Sequence, residues 1–162
     1  MKLQRILVAI NDSEPACWAV ESAVDLAQQV GAQVTLLHVV NRARAIGAES
    51  DGPSAELLAE LRRHGQQLLD LESKQVPAAV RGPTILREGK PSEEIVIVAN
   101  EMKAHLVVLG THGRSRLSHL LLGSTAEAVI RQAPCAVLTV RKKPGNGALA
   151  TSVEHATTTT TR

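Results

Sequence analysis

The sequence predicts an α/β fold in which one parallel sheet of five strands carries helices on both faces. Short apolar runs, typical of strands buried on both sides, alternate with longer segments whose apolar residues recur at helical spacing. Strands that alternate with helices are joined by right-handed crossovers, which distribute the helices over both faces of a parallel sheet. At 162 residues the chain has the length of one domain with a substantial core.

The ends of the first three elements are marked by particular residue types. Residues 6–10 are all apolar and stop at three polar residues that suit a helix N-terminus. The helix predicted over 15–30 has apolar residues at helical spacing and stops before Gly31, a residue typical of helix C-termini. The apolar run over 33–40 is therefore the second strand.

The middle of the chain is less regular. Residues 41–53 hold two glycines and a proline with little periodicity, and predict a loop of about a dozen residues, which is long enough for a functional role. The spacing of leucines predicts an amphipathic helix over 54–73. A short third strand is placed at 84–87, and the nearby prolines assign it to an edge of the sheet.

The last elements repeat the strand and helix pattern. A helix opens at 89–92 and runs to about residue 103, and the buried strand 106–109 follows it. After a loop, a helix over 124–132 and a fifth strand over 136–141 complete the series.

The C-terminal residues differ in composition from the rest. Beyond residue 143 the chain is rich in glycine and then threonine, and it lacks the apolar residues needed to offset the entropy of ordering. We expect one domain over 1–143 and a disordered tail over 144–162.

Composition argues against several classes of function. The chain has no Phe or Tyr and one Trp, whereas readers of single-stranded nucleic acid stack bases on aromatic rings. The net charge of +2 is spread along the chain without a nucleic-acid footprint. The first residues run straight into a strand-like segment without the apolar stretch and cleavage site typical of a signal peptide, and no apolar run is long enough to span a bilayer. The two cysteines are expected to be small buried residues. We expect a cytoplasmic protein without nucleic-acid or membrane partners.

The loop after the fourth strand carries the candidate chemistry, because ligands of open parallel sheets bind beyond the carboxyl ends of the strands. Gly110 and Gly113 let the backbone turn and present N–H groups to phosphate oxygens. Gly123 and Ser124 stand at a helix N-terminus, where free N–H groups and the helix dipole favour an anion. Arg114 can add a charge-assisted contact. Together they predict a phosphate-binding cradle.

The spacing of this loop resembles a family signature. Gly110-x-x-Gly113, followed after nine residues by Gly123-Ser124, is similar to the ATP-binding signature of the universal stress protein family. Residues 4–142 follow that family's layout, from the first apolar strand to the closing segment 133–138. The resemblance implies a doubly wound sheet of strand order 3-2-1-4-5, ATP as ligand, and a homodimer formed through the last strand.

The resemblance also implies roles for particular residues. Nine positions would bind the nucleotide: Asn11, Val39, Gly110, His112, Gly113, Arg114, Gly123, Ser124 and Thr125. Val39 would meet the adenine. Gly110 and residues 112–114 would line the ribose and phosphates, and residues 123–125 would bind the phosphates. The family usually has Asp followed by Gly where this chain has Asn11-Asp12. Asn11 can still hydrogen-bond the base but carries no charge.

Some of these residues also have purely structural explanations. Ser124 to Glu127 fits a capping box, which would satisfy the helix end without a ligand. Arg114 and Arg116 are equally suited to be solvated surface charges. The histidines lack the spacing of a helical metal site, so no metal ligand is assigned, although Asp12 is a weaker candidate to hold Mg²⁺ beside a triphosphate.

Three functions follow from the resemblance and the loop. The first is a nucleotide-dependent regulator, in which ATP orders residues 110–122 and alters a dimer surface that partner proteins read. The second is a slow ATPase or autophosphorylating phosphotransferase, for which the chain offers no P-loop lysine and no evident catalytic pair. The third is a nucleotide-free interaction module.

Overall fold

The computed structural model of the chain describes residues 2–45, 54–111 and 123–141. Within these ranges the predicted alternation of strands and helices is confirmed. The strands are β1 (Arg5–Ile10), β2 (Gln33–Asn41), β3 (Arg81–Gly89), β4 (Leu106–Gly110) and β5 (Ala136–Val140). The helices are α1 (Glu14–Val30), α2 (Ala55–Gln75), α3 (Pro91–Glu101) and α4 (Ser124–Gln132), with a short 3-10 helix over Arg42–Ala45.

The five strands form one parallel sheet in the order β3-β2-β1-β4-β5, as predicted. β1 lies at the centre and pairs with β2 on one side, where Ile10 is opposite His38. On its other side Ile6 of β1 is opposite Leu106 of β4. The strand order therefore reverses between β1 and β4.

Helices cover both faces of the sheet, and β1 contributes to the core on each side. Ile6, Val8 and Ile10 join a core with apolar residues of α1 and α2, whereas Leu7 joins a second core with residues of α3 and α4. This division follows from the alternation of side chains along a strand. In the absence of Phe and Tyr, both cores consist largely of Leu, Val, Ile and Ala.

The third strand differs from its predicted length. β3 spans nine residues, not four, and includes Pro83. It lies at an edge, as predicted, where the missing N–H of a proline is tolerated, and its register against β2 shifts between Val34 and Leu36. The start of the strand was not predicted, because Gly82 and Pro83 interrupt the apolar run by which a strand is recognised.

The predicted loop lies only partly within the described ranges, and the predicted tail lies outside them. Asn41 closes β2 and a 3-10 helix occupies residues 42–45, so the loop begins later than predicted. Residues 46–53 and the predicted tail, 144–162, lie outside the described residues.

Two local predictions are wrong. The N-cap of α4 is Gly123, with φ −61° and ψ 145°, so Ser124 is the first helical residue and no capping box forms. Cys17 is exposed on α1 rather than buried, with its Sγ 3.7 Å from Glu72 Oε1 of α2. Partial desolvation and the Glu72 carboxylate raise the pKa of this thiol. Cys135 is half-buried beside the core of α3 and α4.

No helix over the three described ranges is long and apolar enough to cross a membrane.

Candidate functional site

A cleft of about 550 Å³ opens at the carboxyl ends of β1, β2 and β4. β1 leads into α1, which packs in one core, whereas β4 precedes α4, which packs in the core on the opposite face. Because the connections that follow these neighbouring strands diverge, a crevice forms between them. The cleft therefore lies where a doubly wound sheet is expected to bind its ligand.

Six of the nine predicted site residues line this cleft. They are Asn11, Val39, Gly110, Gly123, Ser124 and Thr125. The fold thus brings together residues of β2, of β4, of the β1–α1 connection and of the α4 N-terminus. The other three, His112, Gly113 and Arg114, lie outside the described residues.

Thr111 is hydrogen-bonded both to β5 and to Gly123, the residue before α4. Its backbone N–H donates to Val140 O of β5 at 3.0 Å, and its own carbonyl accepts from the N–H of Gly123 at 2.8 Å. A Cβ on Gly123 would lie 3.0 Å from that carbonyl oxygen, so the close approach favours glycine. Thr111 is buried and lines the cleft, and sequence reasoning missed it although it stands between two predicted site residues.

The N-terminus of α4 forms one end of the cleft. Its N-cap, Gly123, has no side chain, and no side-chain hydrogen bond caps the helix. The first N–H groups of an α-helix have no partner within the helix, and here they belong to Ser124, Thr125 and Ala126, all of which line the cleft. Such an end is suited to bind an anion.

Glu127 forms no capping box, so its carboxylate is not held at the N-terminal end of α4 by such a motif. Its carboxylate Oε1 accepts from Arg131 Nη2 at 2.6 Å, four residues along the exposed side of α4. The pairing partly neutralises the acidic residue of the first helical turn.

Gly110 is required by packing between β4 and α1. A Cβ at this position would lie 2.7 Å from Pro15 C and Cβ and 2.8 Å from Pro15 O. Backbone atoms of a helix cannot move aside cheaply, so this contact excludes a side chain whether or not a ligand is bound. The sequence reasoning had instead assigned this glycine to the approach of a ligand.

Asn11 is held by the residue that caps α1. Its Oδ1 accepts from the backbone N–H of Ser13 at 3.1 Å and also from the Ser13 hydroxyl. Ser13 in turn begins α1, accepting from Ala16 N at 3.0 Å. The side chain of Asn11 is thereby fixed at the rim of the cleft, although the residue is exposed.

Two histidines that sequence reasoning did not place in the site add polar groups to the cleft, which Asp12, the weaker Mg²⁺ candidate, also lines. His38 lines the cleft, and its Nδ1 donates to Ile10 O at 3.0 Å. His64 of α2 lies with its Nε2 3.9 Å from Asp12 Oδ2 across the cleft mouth. Only the packing of α2 over the β1–α1 connection brings this pair together, so no sequence spacing could reveal it.

The described ranges contain no group of three or more His, Cys, Asp and Glu residues that could hold a metal ion.

The sheet order and the cleft at its switch point place the chain among the doubly wound α/β proteins, in which this crevice is the usual position of a ligand. A family model narrows the class: the model of the universal stress protein family matches residues 2–141. The chain belongs to this family.

Relatives and solved structures agree with this assignment. The chain is 36% identical over 141 residues to the universal stress protein MJ0531 of Methanocaldococcus jannaschii, covering 86% of this chain and 82% of the relative. Universal stress protein UspA from Lactobacillus plantarum superimposes with a TM-score of 0.74 at 26% identity, over 87% of this chain and 99% of that one. A universal stress protein solved in complex with cAMP has a TM-score of 0.63 at 25% identity, over 87% and 99%.

Proposed function

We propose that this chain binds ATP with Mg²⁺ in the cleft and acts in the cytoplasm as a nucleotide-dependent regulator. The observation that carries the proposal is the uncapped N-terminus of α4, which opens into the same cleft as an apolar wall. A nucleotide needs both features, because its phosphates are anionic and its base is largely apolar.

The base is assigned to the part of the cleft near β1 and β2. Ala9, Leu37, Val39 and Ile95 line it there and belong to the core on the α3 and α4 face. Val39 and Asn11 lie at the rim of this apolar wall, in agreement with the roles implied by the family resemblance. A universal stress protein in complex with cAMP supports an adenine nucleotide as the ligand.

The phosphates are assigned to the backbone N–H groups of Ser124 and Thr125. His112, Gly113 and Arg114 follow Thr111 in the chain, and the Thr111 carbonyl accepts from the N–H of Gly123 at the α4 N-terminus. We propose that these three residues contact the ribose and phosphates and that their arrangement changes with nucleotide occupancy. The change is what unidentified partner proteins would read.

Calorimetry with ATP and Mg²⁺ on three variants tests the proposal. Ser124→Asp places a carboxylate at the helix end, which favours the helix but repels phosphate, so we expect binding at least about tenfold weaker, or roughly 1.4 kcal/mol. Ser124→Asn is the neutral control at the same site. Gln33→Glu adds the same charge at the opposite end of the sheet, where β2 begins and its residue is exposed. Both controls should bind within about threefold of the original chain.

One result would overturn this function, and another would overturn the placement of the phosphates. If the original chain binds no nucleotide, the cleft is not a nucleotide site and the interaction module becomes the better hypothesis. If Ser124→Asp binds ATP as tightly as Ser124→Asn, the phosphates do not lie at the α4 N-terminus.

Slow hydrolysis of ATP is a second candidate, favoured by the Asp12 and His64 pair at the cleft mouth. A carboxylate and an imidazole can orient a water molecule and accept its proton. Release of inorganic phosphate by the original chain but not by His64→Gln, at equal ATP occupancy, would support hydrolysis. If the original chain and His64→Gln release phosphate equally, the Asp12 and His64 pair does not take part in hydrolysis.

A further inference from the structure

We propose that Arg141 is a further phosphate-binding residue of this protein, and that its guanidinium contacts the phosphates of a nucleotide held at the N-terminus of α4. The inference rests on the proposed function, because it concerns a nucleotide whose phosphates lie at that helix end. It adds a side-chain cation to the backbone N–H groups of Ser124 and Thr125, whichever phosphate they bind.

Arg141 directly follows β5, and hydrogen bonds connect the end of this strand to the N-terminus of α4. Val140 O accepts from the backbone N–H of Thr111 at 3.0 Å and from the Thr111 hydroxyl at 3.4 Å. Thr111 O in turn accepts at 2.8 Å from the N–H of Gly123, which is the N-cap of α4. The residue after Val140 therefore lies close to the helix end to which the phosphates are assigned.

The alternation of side chains along β5 directs Arg141 towards α4. Val140 and Leu138 pack in the core of α1 and α2, whereas Val137 packs in the core of α3 and α4. Successive residues of a strand point to opposite faces, and the hydrogen bond from Thr111 continues the strand pairing to the end of β5. Arg141 is thus on the α4 side of the sheet, and it is exposed to a ligand there.

The charges around this helix end favour an anion between Arg141 and α4. Positive charge at a helix N-terminus opposes the helix dipole, and an anion attracts both. Among residues 2–45, 54–111 and 123–141, no carboxylate forms an ion pair with Arg141. Glu127, the acidic residue of the first turn of α4, pairs with Arg131 instead. A phosphate group, with its negative charge and several acceptor oxygens, can bind the guanidinium and the helix N–H groups together.

Calorimetry with ATP and Mg²⁺ at low and at high NaCl concentration tests the inference on Arg141→Gln and Arg141→Lys. At low salt we expect Arg141→Gln to bind ATP at least about tenfold more weakly than the original chain, because a charge-assisted contact is lost. At about 1 M NaCl the difference should shrink below about threefold, since salt screens an exposed charge. Arg141→Lys keeps the charge and should bind within about threefold of the original chain at low salt.

Lys2→Gln is the matched control for the loss of one positive charge. Lys2 is exposed and precedes β1, so it lies at the amino ends of the strands, opposite the edge that forms the cleft. This variant should bind ATP within about threefold of the original chain at both salt concentrations. Urea denaturation without nucleotide checks the fold. The unfolding midpoint of Arg141→Gln should not fall, because a cation beside a helix N-terminus does not stabilise the helix.

The outcomes separate the inference from the function on which it rests. If the original chain binds no ATP, the proposed function itself is wrong. If the original chain binds ATP and Arg141→Gln binds it as tightly, the inference alone is wrong. A loss that is equal at both salt concentrations, that Arg141→Lys does not restore, or that accompanies a lower unfolding midpoint would assign Arg141 a structural role and contradict the inference. An equal loss in Lys2→Gln would also contradict it, because the effect would then come from net charge and not from a contact.

Discussion

Individual residues in the loop motif have roles that their spacing does not distinguish. Gly110 and Gly123 are both glycines of the predicted cradle, yet each closely approaches a different neighbour. Gly110 is pressed against the backbone of Pro15 in α1, and Gly123 approaches the carbonyl of Thr111. Both contacts exist without a ligand, so they explain the glycines through packing and leave the phosphate contact to the helix N–H groups.

The first prediction concerns the contact between Gly110 and Pro15. We expect Gly110→Ala to lower the free energy of unfolding by about 1–3 kcal/mol, because the added methyl group would meet backbone atoms at 2.7–2.8 Å. Urea denaturation without nucleotide measures the change. Unchanged stability together with lost ATP binding would show instead that the glycine is kept for the ligand.

At the scale of single elements, α2 shows how one helix both packs and contributes to the cleft. It is 21 residues long, but only Leu58, Gly65 and Leu69 are buried on it. The same helix supplies Leu61 and His64 to the cleft. The helix that packs on the sheet through these buried residues therefore also forms part of the cleft wall.

The second prediction uses two leucines on this helix. Leu69 is fully buried, whereas Leu71 is 56% exposed. We expect Leu69→Ala to cost about 2–5 kcal/mol of unfolding free energy through the cavity it leaves, and Leu71→Ala to change it by less than about 0.5 kcal/mol. Chemical denaturation of both variants provides the test. Similar losses would mean that α2 packs through a different face.

The third prediction concerns the ion pair that links α2 to β3. The Arg62 guanidinium hydrogen-bonds both carboxylate oxygens of Glu88, with Nη2 3.0 Å from Oε2, and this lowers the pKa of Glu88 from its ordinary value of 4.5. Because the pKa of this carboxyl is lower in the folded chain, its ionised form stabilises the fold at pH values above the ordinary pKa. This stability is lost as the pH falls through the lowered pKa.

We therefore expect Glu88→Gln to unfold at a lower urea concentration than the original chain at pH 7. The difference should be small, since both side chains are partly exposed and solvent screens them, and it should vanish in acid as Glu88 becomes protonated. Midpoints at pH 7 and at acid pH measure the effect. A difference that persists in acid would indicate a packing role for Glu88.

At the scale of the whole molecule, the sheet has two edges, β3 and β5. An edge strand leaves backbone groups available for pairing with another chain. Within β5 the residues Val137, Leu138 and Thr139 are only half-buried, and the family resemblance implies a dimer through this last strand. We therefore propose a homodimer formed through β5.

The fourth prediction tests this edge. Light scattering after size exclusion should give twice the chain mass of 17.2 kDa for the original protein. Thr139→Lys should give the monomer mass, because a charged lysine on an edge strand opposes its pairing with another chain. Thr84→Lys places the same charge on exposed residue 84 of the opposite edge, β3, and should stay dimeric. If only Thr84→Lys is a monomer, the dimer interface is formed by β3 instead of β5.

Much of the fold could be predicted from the sequence because it depends on local patterns. The apolar runs of β1, β2 and β4 and the helix ending at Gly31 reflect backbone and burial preferences that act over a few residues. Gly31 has φ 69°, as expected for a helix C-terminus. β3 was less predictable because its edge position tolerates Pro83, which a central strand would exclude.

The sequence by itself determined the strand and helix pattern, the parallel sheet and the family, since periodicity and motif spacing are properties of the chain alone. Only the tertiary structure decided which residues meet: Asn11, Val39 and Ser124 come from segments far apart and converge because the carboxyl ends of the strands share one edge of the sheet. It also decided which atom of Asn11 is available, because the N–H of Ser13 occupies the oxygen. Such contacts depend on distances in space, which no spacing along the chain records.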